Sequence, residues 1–174
     1  MSNYKAYLHK IKAFAFDVDG VFTDGSVQVS TTGDLLRTYN AKDGYAIRYA
    51  SDKGYPIAII TGGASETIKI RFKMLGVSDV YLGARHKLPC FEEFCTMYDL
   101  KPEEVLYLGD DIPDIEIMEQ CGLAVCPADA VAEVKAVVAH ISTYEGGKGC
   151  VRDIVEQVLK VHDKWKNDDH IAST

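Results

Sequence analysis

Apolar and polar positions fall into blocks along this chain. Ile11-Lys12-Ala13-Phe14-Ala15-Phe16, Ile57-Ala58-Ile59-Ile60, Val80-Tyr81-Leu82-Gly83, Val105-Leu106-Tyr107-Leu108 and Leu123-Ala124-Val125-Cys126 are short, largely apolar runs of buried-strand length. Longer segments with helical spacing lie between them. Helices are predicted from Asp43 to near Gly54 with Pro56 beyond, and from an N-cap at Ser65 through Leu75, closed by Gly76. Others are predicted over Lys87 to Tyr98, Ile115 to Cys121 ended by Gly122, Val131 to Ala139, and Val151 to Trp165. Ser26-Val27-Gln28-Val29-Ser30 and Leu36-Arg37-Thr38-Tyr39-Asn40 flank Thr31-Thr32-Gly33-Asp34, the pattern of a β-hairpin. The polar tail from Lys166 to Thr174 is expected to fray. Strands alternating with helices on short loops predict an α/β fold, a Rossmann-like parallel sheet flanked by helices. There is no internal repeat, low-complexity tract or long linker. Residues 1–174 are therefore expected to form a single domain, with the hairpin inserted over about 22–40.

Composition narrows the partners. The formal net charge of −7 speaks against nucleic acid, whose binders are basic. It leaves room for a small anionic substrate held by a few local cations. The five cysteines (90, 95, 121, 126 and 150) form no C-x-x-C pair, as expected of free, mostly buried thiols in a reducing compartment. The N-terminus has no apolar h-region, and no apolar run approaches the ~18 residues of a membrane span. A cytoplasmic protein with no membrane partner is the expectation.

The chemistry begins where the first strand ends. Asp17 and Asp19 follow Phe16, and alternation along an extended chain turns them the same way. Two like charges ~4 Å apart repel by ~4 kcal/mol at an effective dielectric near 20. A shared proton or a cation such as Mg²⁺ would compensate. Asp and Gly also serve as ordinary turn residues, so Asp-x-Asp-Gly alone leaves both readings open. Thr61 and Asp110 likewise follow the last apolar residues of strands, where ligands bind in open parallel sheets. Taken singly, Thr61 could cap a helix, Lys87 could be a solvated helix-start residue, and Asp114 could answer a helix dipole. Arg71 could face solvent or the site mouth, and His86, His140 and His162 lack metal-ligand spacing. Independent segments that deliver Asp17 and Asp19, Thr61, Lys87, and Asp110 with Asp111 and Asp114 to one sheet edge argue for a site.

That order of motifs resembles the haloacid dehalogenase superfamily of phosphatases. Its carriers are Asp17-Val18-Asp19-Gly20, Thr61 at a strand end, Lys87 heading a helix, and Gly109-Asp110-Asp111-x-x-Asp114. A closer resemblance is to the small 3-deoxy-D-manno-octulosonate 8-phosphate phosphatases. It rests on Asp17 through Gly25, Tyr39-Asn40-Ala41-Lys42-Asp43-Gly44-Tyr45, Ile60-Thr61-Gly62, and Gly146-Gly147-Lys148-Gly149-Cys150-Val151-Arg152. The resemblance implies a Mg²⁺-dependent phosphomonoesterase of lipopolysaccharide sugar biosynthesis. Asp17 would be the nucleophile and Asp19 the acid and base, with Thr61 and Lys87 on the phosphoryl group. Asp17, Asp110 and the backbone carbonyl of Asp19 would bind the metal, with Asp111 and Asp114 behind them and Asp111 orienting Lys87 or a metal-bound water. Gly62, Gly63, Lys42, Arg71 and Arg152 would meet the substrate. The interval from Asp19 to Thr61 has no room for a separate cap domain beside the hairpin. The resemblance therefore implies a homotetramer whose neighbouring subunits close the site.

The chain departs from the family at Gly63, where most members carry a basic residue, at Lys42, where they carry Arg, and at His86, where they carry Asn or Asp. The alternatives are a phosphatase of a nine-carbon sialic-type sugar acid 9-phosphate and a non-catalytic, phosphatase-like assembly domain. A signalling receiver domain gathers similar residues but places its acids before the Thr and Lys, whereas Asp110 and Asp111 follow both.

Overall fold

A computed structural model describes residues 4–165. The tail expected to fray lies outside the described residues. A short helix α1 (Lys5–Leu8) leads into β1 (Ala13–Phe16). A hairpin of β2 (Gln28–Val29) and β3 (Leu35–Leu36) follows, then α2 (Ala41–Asp52) and β4 (Ile57–Ile60). The next pairs are α3 (Glu66–Met74) with β5 (Asp79–Tyr81), and α4 (Leu88–Met97) with β6 (Val105–Leu108). The chain ends with α5 (Ile115–Met118), β7 (Leu123–Cys126), α6 (Ala132–Val137), β8 (His140–Ile141) and α7 (Cys150–Val161). The six-stranded sheet runs β5-β4-β1-β6-β7-β8, and every pairing in it is parallel.

Both faces of this sheet are covered, which is why its strands read as unbroken apolar runs. Phe14 and Phe16 pack on one side with Ile57, Ile59, Leu106, Leu108, Leu123 and Val125. Ala13 and Ala15 pack on the other with Ala58, Ile60, Val105, Tyr107, Ala124 and Cys126. Helices α1, α2, α3 and α7 supply the first side, and α4, α5 and α6 the second. Burying one large apolar side chain contributes about 1.5–3 kcal/mol, so the two layers fix the strand register and with it the strand ends.

Several boundaries differ from the sequence expectation. Helix α2 begins at Ala41 rather than Asp43, because Asn40 Oδ1 accepts the Lys42 N–H at 2.8 Å and caps it. Asp43 is instead buried and accepts the Arg152 N–H at 2.8 Å, tying α2 to the first turn of α7. Burial pushes its carboxyl up to about 6, against the hydrogen bonds it receives. The hairpin strands are two residues each, shorter than expected, in the register Gln28↔Leu36 and Val29↔Leu35. Their alternation finds no core beneath: Val29 is 71% exposed and Leu36 48%. Among the described residues no cap domain stands beside this hairpin. The helix expected from Ile115 to Cys121 starts at Ile115, directly after a 3₁₀ turn (Ile112–Asp114) that holds Pro113, and ends early, at Met118. The edge strand β8 was not expected, since two residues carry no readable alternation.

Candidate active site

Strand order places β1 between β4 and β6, so Asp17, Thr61 and Asp110 emerge side by side. The Asp17 N–H still donates to the Leu108 carbonyl (3.0 Å), and Thr61 N–H to the Tyr81 carbonyl (3.0 Å), before the chains leave the sheet. Between these loops lies a cavity of about 420 Å³, lined among others by Asp17, Asp19, Thr61, Gly62, Gly63 and Asp110. The loop of Gly146 and Gly147 braces it from behind. The Gly147 N–H donates to the Val21 carbonyl at 2.8 Å, and a Cβ on Gly146 would stand 2.0 Å from the Gly20 carbonyl oxygen. Only glycine permits that approach.

Lys87 organises the floor. Its Nζ lies 2.9 Å from Asp17 Oδ2 and 2.7 Å from Asp114 Oδ1, with the side chain 5% exposed. Asp114 is fully engaged: Oδ1 also accepts the Tyr107 hydroxyl (2.6 Å), and Oδ2 accepts the N–H groups of Asp110 (3.0 Å) and Asp111 (3.2 Å). The expectation that Asp111 orients Lys87 is therefore corrected. Asp111 is exposed and accepts the N–H of its neighbour Ile112, while Asp114 holds the lysine. Burial lowers the preference of Lys87 for its proton, but Asp17 and Asp114 outweigh it and the net shift is upward. Tyr107 is pushed well up by burial and by Asp114.

The carboxylates crowd beyond what one lysine neutralises. Burial, then Asp114, push Asp17 up to about 7, against the pull of Lys87. Burial, then Asp17, push Asp110 up to about 8. Asp110 Oδ1 is buried and accepts no hydrogen bond, and carboxylate oxygens of Asp17, Asp110 and Asp114 lie within 4.8 Å of one another. An orphaned buried oxygen among hard anionic donors is the signature of a cation site, and the set fits Mg²⁺. Since Asp114 is consumed by Lys87, Tyr107 and two N–H groups, Asp17 and Asp110 are the carboxylates free to ligate. The Asp19 carboxylate is not one of these three; both of its oxygens are held by Arg37.

Asp19 is gripped by Arg37, which sequence reasoning passed over. Nε and Nη2 of Arg37 donate to the two Asp19 oxygens at 2.7 and 2.8 Å, and the Arg37 side chain is 3% exposed. Arg37 also stands where a side chain at position 63 would grow, 3.1 Å from the place of a Gly63 Cβ. Thr61 is buried, and its Oγ1 accepts the Gly63 N–H at 3.1 Å.

The basic residues expected at the mouth are mostly elsewhere. Lys42 and Arg152 line a separate cavity of about 540 Å³ along the α2 and α7 ends. Arg152 pairs with Glu156 at 3.1 Å and lies over Tyr45 and Trp165. Arg71 lies over Tyr39, 5.9 Å from the ring centre, and does not line the catalytic cavity. Arg85 does line it and was not expected to.

Residues 41–122 match the family model of haloacid dehalogenase-like hydrolases. The 3-deoxy-D-manno-octulosonate 8-phosphate phosphatase of Yersinia pestis is 34% identical over 154 residues, 88% of this chain and 82% of that protein. A crystal structure of the Y. pestis phosphatase superposes with a TM-score of 0.91 at 32% identity, covering 94% of this chain and 88% of that one. The enzyme of the same name from Moraxella catarrhalis, solved with magnesium, phosphate and the sugar acid, superposes at 0.88 with 30% identity and covers 92% of both chains. Relatedness over nearly the whole chain, with the strand-end acids and lysine gathered in one cavity, places this phosphatase in the haloacid dehalogenase superfamily, where it belongs to the 3-deoxy-D-manno-octulosonate 8-phosphate phosphatase family.

Proposed function

We propose that the protein hydrolyses 3-deoxy-D-manno-octulosonate 8-phosphate to the free sugar acid and phosphate, through a phosphorylated Asp17. The observation that carries this reading is Lys87 Nζ, held 2.9 Å from Asp17 Oδ2 in the cavity that also contains the unpartnered Asp110 oxygen. Uncatalysed phosphomonoester hydrolysis is slow enough to demand acceleration up to ~10²¹. A nucleophile, a fixed cation and a metal together suit that demand.

An Asp17 oxygen attacks phosphorus as the bond to the sugar oxygen breaks, and Asp19, protonated on one oxygen while the other stays on the Arg37 guanidinium, gives the sugar oxygen its proton. Asp19 then takes a proton from water, whose oxygen attacks the aspartyl phosphate, releasing phosphate and restoring Asp17. Arg37 sets the direction of the Asp19 carboxylate between these steps. Lys87 and the Thr61 hydroxyl, with backbone N–H groups near Gly62 and Gly63, hold the phosphoryl oxygens. Asp17, Asp110 and the Asp19 carbonyl would hold Mg²⁺, which when bound neutralises charge on the phosphoryl group. The free cysteines support action in the cytoplasm; no described helix is long and apolar enough to cross a membrane.

The test is a side-by-side assay of the eight-carbon 8-phosphate and the nine-carbon 9-phosphate. A side-chain-free Gly63 supplies no acid to repel a sugar carboxylate, and kcat/KM is expected to favour the eight-carbon acid by more than tenfold, about 1.4 kcal/mol. Equal or reversed preference assigns the protein to the nine-carbon acids. Failure of the Mg²⁺-loaded protein to hydrolyse either would favour a non-catalytic assembly domain.

The same reading includes a homotetramer. Val27, Val29, Leu35 and Leu36 leave an apolar, exposed hairpin beside an open cavity, and pairing hairpins would cover both. Light scattering is expected to give four subunits, and Val29→Asp to yield smaller species with reduced turnover. A fully active monomer at assay concentration would refute this assembly.

A further inference from the structure

We propose that Arg85 is the specificity-determining residue that binds the carboxylate of the substrate. The inference rests on the reading of the protein as a sugar-acid phosphatase and adds to it the group that recognises the acid. The catalytic cavity is lined by four carboxylates, Asp17, Asp19, Asp110 and Asp111, and by two cations, Lys87 and Arg85. A substrate with phosphate at one end and carboxylate at the other needs a cation for each. Lys87 is committed, since its ammonium bridges Asp17 and Asp114 on the floor. Arg37 is spent on both oxygens of Asp19. The Lys42 and Arg152 cavity is separate.

Arg85 alone lines the cavity uncommitted. It is exposed, and among the described residues its guanidinium has no acidic or hydrogen-bonding partner. Its loop is nonetheless fixed: Gly83 N–H donates to the Gly63 carbonyl (3.0 Å), and Ala84 N–H to the Thr61 carbonyl (2.9 Å). That stitching sets Arg85 next to the Thr61–Gly63 turn, where Gly63 offers no side chain. A Cβ on Gly63 would already meet Ile68 and Arg37 at 3.0 and 3.1 Å, so a cation cannot enter from that side without displacing them. A planar guanidinium is suited to bidentate capture of a carboxylate. Arg85 thus reads the acid end while Lys87 and the metal site take the phosphate end.

The experiment uses the full chain loaded with Mg²⁺, as wild type, Arg85→Ala and Arg85→Lys. The probes are 3-deoxy-D-manno-octulosonate 8-phosphate and a matched pair, 6-phosphogluconate and glucitol 6-phosphate, which differ in one carboxylate. Wild type is expected to prefer the carboxylated member. Arg85→Ala is expected to raise KM for carboxylated substrates about tenfold or more, with kcat within about threefold. The neutral member is left within about twofold, and Arg85→Lys recovers part of the loss. Equal losses on both members, no loss on either, or a wild type without preference for a carboxylate would overturn the assignment. Failure of wild type on the octulosonate phosphate overturns the substrate reading instead, and the matched pair still decides the role of Arg85.

Discussion

Asp17→Asn is expected to lower kcat by about 10⁴-fold or more while the protein stays folded. The amide keeps the shape of the carboxyl but cannot attack phosphorus. The folded state should gain rather than lose from the change when metal is absent, because Asp17 sits at about 7 and Asp110 at about 8 through burial and mutual repulsion. Both folded values lie above the ordinary carboxylate range, so their contribution to stability is full below about pH 4 and is lost as pH rises through 7 and 8. Metal-free wild type should therefore weaken between pH 6 and pH 9, and Asp17→Asn should weaken less. Adding Mg²⁺ should reverse the order, raising the melting temperature of wild type more than that of the variant. Melting curves at the two pH values, with and without Mg²⁺, check the sign. Turnover by the variant, or by wild type in excess chelator, would remove the aspartyl-phosphate mechanism.

Lys87→Met should slow the reaction less than Asp17→Asn but cost far more in stability. Among the described residues it deletes the one cation that bridges Asp17 and Asp114, and leaves Asp114 answered by Tyr107 and two N–H groups alone. Breaking a buried ion pair by removing one partner costs about 3–5 kcal/mol. Here the cost should be largest near pH 9 and smaller near pH 6, where Asp17 and Asp110 are protonated in the metal-free protein. The loss of charge stabilisation on the phosphoryl group should lower kcat/KM by about 10²–10³-fold. Denaturant titrations at the two pH values and steady-state kinetics measure both effects. Normal kinetics, or a penalty independent of pH, would show that Lys87 has only a packing role.

What could be read in the sequence was what burial dictates. The apolar runs at Ile57–Ile60, Val105–Leu108 and Leu123–Cys126 appear as strands with the expected limits, because a strand covered on both faces admits no polar residue. Asp17, Thr61, Lys87 and Asp110 were legible for the complementary reason, as polar residues at the ends of such runs. Arg37 was not, since it lies within an alternating hairpin pattern and meets Asp19 only because the chain folds back over 18 positions. Asp114 was legible as an acid of the site that a helix dipole could equally explain, but its bonds to Lys87 and Tyr107 were not, since they depend on three separate elements converging. Lys42 and Arg152 line a different cavity of the chain, which their charge alone could not announce. Which way a helix is rolled is decided by packing, here the burial of Ile47 on α2 and of Ile154 and Val158 on α7.

The central position of β1 bears on how the protein is made. Phe14 of the first strand pairs with Ile57, but its other neighbour awaits Val105 to Leu108. During synthesis Asp17 is therefore in place long before the strand that delivers Asp110 or the turn that delivers Asp114 has left the ribosome. Until then one edge of β1 lacks its partner, and no metal site exists to draw the fold together. The late segments act as the closing half of the sheet, and the cluster of Asp17, Asp110 and Asp114 forms only once β6 has paired.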